Sequence, residues 1–386
     1  MNSVLDRLFP ARPIEPIPAG LYARQAMLPG SQPIRLHLRI QADGAGLMIV
    51  NASCVLHLNE TAAAHAYRYV LGDSDGQAAR FVQRRYRVGW RKALHDQQAL
   101  RRQVEGVVTT PDLDPVVYLG MARAEPGIPP ASAPYRLDVA LTYAQDPDGR
   151  PDPRTPVRAS RELSTEEWKR ALEIAWNAGI PHVAFTGGEP CRRADLAELI
   201  AHAEQLGMVA GVVTAGTRLA DMDYLMTLSN AGLDHLMITW QPADADSTLG
   251  LRNASASDVF TTAHLTLRPT DSQALPDWLA ELRQMGVNAV SLSSSAGAGT
   301  EGSMLEARDQ VAAAGLNLVW DLPVPFSESN PIAFEVEQPA GSTGCSWLYV
   351  EPDGDVLLSR DARDVLGNLT SDEWGVIWDR AQQAAA

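Results

Sequence analysis

Four groups of residues have types and spacings that could do chemistry. The first is Phe185-Thr186-Gly187-Gly188-Glu189-Pro190, between a strand-like run and a helical pattern. Paired glycines let a backbone approach a ligand closely, and the Glu189 carboxylate could accept bonds from a cationic amine. Pro190 suits the first position of a helix. A plain tight turn between strand and helix is the competing reading, and in isolation the glycine pair leaves both open. The second is Gly297-Ala298-Gly299-Thr300-Glu301-Gly302, a GxGxxG string with Asp321 further on, the pattern of a dinucleotide fingerprint. Against it, Val290 and Leu292 give way to Ser293-Ser294-Ser295, where an apolar position should pack beneath the helix. Too little chain follows Asp321 for the further βαβ units that a nucleotide fold needs.

The third group is basic. Arg80, Arg84, Arg85, Arg87, Arg91, Lys92, Arg101 and Arg102 face Asp96 alone over 80–102, within a chain of net charge −15. Such asymmetry can steer an acidic peptide; a solvated helical face, or pairing with the acidic remainder of the chain, is the alternative. The fourth group is three cysteines, Cys54, Cys191 and Cys345, each far from the next. No local zinc knuckle, CxxC pair or cluster ligand set can be built from them. Cys191 lies near a helix start, where a dipole lowers a thiol pKa, although a small buried residue is the simpler role.

Composition narrows the classes further. The 386 residues, 45% hydrophobic and 20% charged, describe a folded chain of two or three domains. Net charge −15 argues against general nucleic-acid binding. The apolar, uncharged stretch from Gly44 to Leu58 is too short and too polar to span a membrane, and Asp6 and Arg7 interrupt any signal sequence. A cytoplasmic location is expected. The histidines form no HExxH, and neither a Gly-x-Ser-x-Gly elbow nor a Walker loop occurs.

The elements that must carry these groups fall into blocks. Ile34 to Ile40 alternates as a half-buried strand, Leu47–Val50 and Cys54–Leu58 read as a hairpin, and three helical patterns follow to about Val107. Prolines crowd 111–134, marking a linker. Strand-like runs then begin near Arg136, His182, Met208, His235, Ala263, Val287 and Leu316. Helical patterns lie at Thr165–Asn177, Arg193–Leu206, Asp221–Ala231, Pro276–Met285 and Met304–Ala314. This alternation predicts an α/β fold of parallel βα units, a partial or complete barrel binding ligands at its strands' carboxyl ends. The tail reads as a hairpin turning at Glu351-Pro352-Asp353-Gly354 and a helix from Ser371 to Ala381.

Together these segments resemble radical S-adenosylmethionine (SAM) proteins of the PQQ-biosynthesis and SPASM type. Leu137 to Tyr143 resembles the first barrel strand, Phe185 to Pro190 the GGEP motif, and Val213-Thr214-Ala215-Gly216 a Thr-Asn-Gly segment. The tail is similar to a SPASM or twitch extension, and the N-terminal block to a winged-helix peptide-recognition element. The resemblance implies a domain at 1–110, a linker at 111–134, a barrel at 135–325 and an extension at 326–386. It implies SAM contacts at Thr186, Gly187, Gly188, Glu189, Pro190 and Thr214.

One departure is large. The family holds a [4Fe–4S] cluster through CxxxCxxC after the first strand, and here 143–160 contains no cysteine. The aligned positions fall near Gln145, Gly149 and Asp152, and carboxylates such as Asp146, Asp148 and Asp152 are hard donors where clusters need soft thiolates. The expectation is therefore a barrel without its cluster and without metal, acting as a peptide-binding scaffold or a partner of a maturase. Its peptide would be an acidic precursor held by Arg84, Arg85, Arg87, Arg91 and Lys92. The alternatives are an active SAM-using maturase and, third, a nicotinamide oxidoreductase on Gly297–Gly302.

Overall fold

The computed structural model describes residues 17–28, 32–50, 54–86, 88–109, 133–134, 136–144, 159, 161–294, 301–319 and 347–385. The chain divides into two units, Met1–Glu125 and Pro126–Ala386.

In the first unit, β1 (Gly20–Leu28), β2 (Gln32–Ile40), β3 (Gly46–Val50) and β4 (Cys54–Leu58) form an antiparallel sheet in that order. The strand expected at β2 forms, but it is not half-buried: Ile34, Leu36, Leu38 and Ile40 lie in one core with residues of the helices α1 (Glu60–Val70), α2 (Asp75–Tyr86) and α3 (Trp90–Thr109), and His37 and Arg39 between them are buried as well. Asn59 caps α1 by accepting a bond from the Ala62 amide at 2.9 Å. β1 was not expected. It is an edge strand, largely half-exposed, so its apolar alternation is weak.

The second unit alternates as anticipated. Its elements are β5 (Arg136–Thr142), α4 (Thr165–Asn177), β6 (His182–Gly187), α5 (Leu196–Leu206), β7 (Val209–Thr214), α6 (Met222–Asn230), β8 (His235–Thr239), α7 (Ala245–Ser255), β9 (Phe260–Leu267), α8 (Leu275–Met285), β10 (Ala289–Ser294) and α9 (Glu301–Ala313). The tail adds β11 (Trp347–Val350), β12 (Asp355–Leu357), β13 (Gly367–Asn368) and α10 (Trp374–Ala385). The sheet order is β10-β9-β8-β7-β6-β5-β11-β12-β13, parallel from β10 through β11. This is an α/β fold built as an open run of βα units, a partial barrel with no closure among the described residues. The tail hairpin is not detached from it, since Trp347–Val350 pairs in parallel with Arg136–Val139. The last strand-like run, at Leu316, contributes a single bridge between Val290 and Leu318.

Register divides the sheet into two faces. Val139, Phe185, Val212, Ile238, Ala263 and Val290 join one core with helical residues such as Trp168, Ile200, Leu225 and Leu282. The opposite face carries Asp138, Thr186, His235, His264, Ser291 and Ser293, all but His235 fully buried. Buried polar groups persist when they bond one another. His264 Nδ1 lies 3.0 Å from Ser291 Oγ and its Nε2 2.8 Å from Ser293 Oγ. Ser293, the first of the serines that interrupt the GxGxxG context, is thus a partner of a buried imidazole.

Candidate functional site

The Gly187–Glu189 turn stands at the carboxyl end of β6, against the end of β5. A Cβ on Gly187 would lie 2.2 Å from the Thr142 carbonyl oxygen, and one on Gly188 2.3 Å from that of Ala144. Gly187 also has φ +120°, a conformation that favours glycine. The Gly188 amide donates to Thr142 O at 2.7 Å and the Glu189 amide to Ala144 O at 2.8 Å. The chain's own strand end is therefore what the glycine pair admits so closely. The turn holds the end of β5 and the two residues after it.

Glu189 is 2% exposed, and its carboxylate receives three donors. The Thr214 hydroxyl lies at 2.7 Å, the Cys191 amide at 3.0 Å and the Ala215 amide at 2.8 Å. Glu189 thereby caps the short 3₁₀ turn Pro190–Arg192 and ties it to the end of β7. Pro190 opens that 3₁₀ turn, whereas the long helix begins only at Leu196. The Thr214 hydroxyl also accepts from the Gly216 amide at 3.1 Å. Thr186 is buried, and its side chain makes no hydrogen bond among the described residues.

Cys191 lies inside this network, fully buried, with its Sγ 3.4 Å from Thr214 Oγ1. Burial, followed by the neighbouring Glu189 carboxylate, pushes the thiol pKa well above its ordinary value. The helix-start effect is overridden, and Cys191 is a packed thiol rather than a thiolate. Its carbonyl receives the Arg218 guanidinium and the Tyr224 hydroxyl, the latter at 3.2 Å.

Side chains that sequence spacing could not assemble meet at the end of β5. The Arg193 guanidinium reaches Leu141 O at 3.2 Å and Leu163 O at 3.1 Å. The Tyr143 hydroxyl donates to Glu351 Oε2 at 2.6 Å and lies 3.3 Å from the Tyr349 hydroxyl. Burial raises both phenol pKa values, that of Tyr349 to about 12.

The basic group is only partly assembled. Arg84 in the last turn of α2 and Arg91 and Lys92 in the first turn of α3 are exposed. Lys92 lies 3.4 Å from Asp96. Arg85 is drawn 3.7 Å from Glu60 and lies over the Tyr86 ring, so it belongs to the fold of the unit. Arg87 lies outside the described residues, as do Gly297 to Thr300 and Asp321. Among the described residues no group of three His, Cys, Asp or Glu side chains could hold a metal. Segment 143–160 itself supplies no thiolate for a cluster, and the thiol nearest in sequence, Cys191, is sealed in the core.

Comparison with solved structures decides the architecture. Streptococcus suis SuiB bound to precursor peptide SuiA superposes with TM-score 0.63 at 13% identity, covering 88% of this chain and 86% of that one. The same protein bound to S-adenosylmethionine gives 0.59, covering 89% and 86%. The chain carries the radical SAM fold. The radical SAM superfamily model matches residues 148–260. PqqA peptide cyclase of Xanthomonas campestris pv. campestris is 27% identical over 280 residues, 65% of this chain and 73% of that protein. The Bradyrhizobium diazoefficiens enzyme of the same name is 39% identical over 100 residues, 25% of this chain and 26% of that one. Within this radical SAM fold, the Gly187–Glu189 turn and Thr214 fall inside the matched segment, as does most of the cysteine-free loop. No described helix is long and apolar enough to cross a membrane.

Proposed function

We propose that this chain is a cluster-free protein of the radical SAM fold that binds a precursor peptide, or a maturase acting on one, without carrying out radical cleavage. The observation behind it is the contrast at β5. The turn that grips the strand end is intact, while the loop leaving it has no cysteine between Tyr143 and Ser160. Similarity to PqqA peptide cyclases and to a peptide-bound SuiB supports a peptide as the ligand class. The first unit would be the peptide-recognition element, with exposed Arg84, Arg91 and Lys92 offering charge to an acidic peptide. SAM, if retained, would be held by Thr186, Gly187, Gly188, Glu189, Pro190 and Thr214, where the free Thr186 hydroxyl and the tightly held Glu189 supply polar contacts.

The test is anaerobic purification with iron and sulfide reconstitution. The scaffold reading expects no stoichiometric iron and no SAM cleavage; about four irons per chain together with SAM cleavage would sink it. That outcome would support the second reading, an active SAM-using maturase, which the intact Glu189–Thr214 link favours.

A further inference from the structure

Two consecutive residues of the tail meet two chain ends, at Tyr143 and Leu163, that flank segment 145–160. On the entrance side, Glu351 Oε2 accepts the Tyr143 hydroxyl at 2.6 Å. On the exit side, the Pro352 carbonyl accepts the Leu163 amide at 2.8 Å. The ends also touch each other, since the Thr142 hydroxyl donates to the Glu162 carboxylate. A short bond from a phenol to a carboxylate that is 1% exposed is of the strong, charge-assisted kind.

The turn making these contacts is itself held. The Glu351 amide donates to Asp355 O at 2.8 Å and the Gly354 amide to Glu351 O at 2.9 Å. Its strand β11 lies hydrogen-bonded beside β5. On β5's other side, Thr142 and Ala144, the neighbours of Tyr143, supply the carbonyls that receive the Gly188 and Glu189 amides. Three consecutive residues are therefore shared: the outer two by the glycine turn, the middle one by the tail. A displacement of Tyr143 carries the acceptors of both turn amides with it.

We propose that Glu351 and Pro352 are positioning residues for the Gly187–Glu189 turn, a clip that joins Tyr143, just after β5, to Leu163, just before α4, and so holds the turn in one shape. The ligand arm of the proposal rests on the SAM reading above; the clip does not. It gives the tail, whose sequence retains Cys345 as its single cysteine, a role that needs no metal.

The experiment compares the full-length chain with its Glu351→Ala, Glu351→Gln and Tyr143→Phe variants by amide hydrogen exchange and by SAM calorimetry. Loss of one charge-assisted bond is expected to speed exchange of the Gly188 and Glu189 amides roughly tenfold in Glu351→Ala and Tyr143→Phe. The amides of Val209–Val213 should keep their wild-type rates. Glu351→Gln keeps an acceptor and restores much of the protection. Unchanged exchange at Gly188 and Glu189 in both Glu351→Ala and Tyr143→Phe overturns the clip, and so does faster exchange throughout the sheet in both. Tyr143→Phe removes one oxygen only, so it decides the matter even if Glu351→Ala does not fold. SAM affinity falling in step with lost protection supports the positioning role, and equal affinity in wild type and variants overturns it. Should the wild-type chain take up no SAM, the ligand reading fails and the exchange rates alone still decide the clip.

Discussion

Glu189 and Thr214 are joined at 2.7 Å, carboxylate to hydroxyl, across the carboxyl ends of two adjacent parallel strands. The same hydroxyl accepts the Gly216 amide, so one threonine oxygen ties the turn after β6 to the turn after β7. Both residues are about 2% exposed, and a donor or acceptor lost here has no water to replace it.

Replacing Thr214 by valine keeps the side-chain shape and deletes both bonds together with the Cys191 Sγ contact. Thr214→Val is expected to cost about 1–3 kcal/mol, and Thr214→Ser, which keeps the oxygen, under about 1.5 kcal/mol. Urea unfolding monitored by tryptophan fluorescence checks this, and a valine variant as stable as wild type would show that the link contributes nothing.

Much of this arrangement could be read from the residues because its signals are local. The period of β2, the glycine pair and the strand-helix alternation each lie within a few positions of sequence. What could not be read is non-local or carried by small side chains. Tyr143 and Glu351 are 208 positions apart. Helix α7 was missed because it buries Ser247, Gly250, Leu251 and Ala254 rather than a stripe of large apolar residues. The setting of Glu189 was hidden for the same reason: the sequence names the carboxylate, whereas the donors it receives from Thr214, Cys191 and Ala215 come from two turns brought together by sheet order.

A second close approach sets a packing prediction. A Cβ on Gly211 would lie 2.1 Å from the His235 ring, which crosses β7 to place its Nε2 2.8 Å from Nε2 of His182. Gly211→Ala is expected to cost about 1–3 kcal/mol by overpacking. In a His235→Ala background the same substitution should cost much less, because the obstructing ring is gone. A double-mutant cycle measured by chemical denaturation reads the difference, and additive costs would show that the ring does not enforce the glycine.

Acid should weaken the second unit through its buried imidazoles. Burial lowers the His264 pKa from 6.5 to about 3, and burial with the nearby Arg136 lowers that of His235 to about 4. In each case the unfolded chain binds a proton before the folded one does. The stabilisation is therefore complete above pH 6.5 and is lost as pH falls toward the folded values. Each histidine contributes a slope of about 1.4 kcal/mol per pH unit within its window. Urea midpoints measured from pH 7 to pH 4 should fall accordingly, and His264→Gln should flatten the slope by one histidine's share. An unchanged slope would show that His264 takes up its proton over the same pH range in the folded and unfolded chain.

The basic surface of the first unit gives the last prediction, with the substitutions chosen by burial. Arg85 is engaged with Glu60 and Tyr86, so reversing it would disturb the fold as well as the surface. Arg84, Arg91 and Lys92 are exposed, which makes Arg84→Glu, Arg91→Glu and Lys92→Glu the cleaner set. Arg91 and Lys92 also occupy the first turn of α3, where the helix dipole disfavours cations, so the triple variant should be no less stable than wild type. If electrostatics captures an acidic peptide here, a fluorescein-labelled oligoglutamate should bind the triple variant at least about tenfold more weakly. Its affinity for wild type should fall as salt is raised from 50 to 300 mM, roughly the range over which screening shortens below 10 Å. Fluorescence anisotropy reads both effects, and equal, salt-independent binding by the two proteins would leave these cations as an ordinary solvated face.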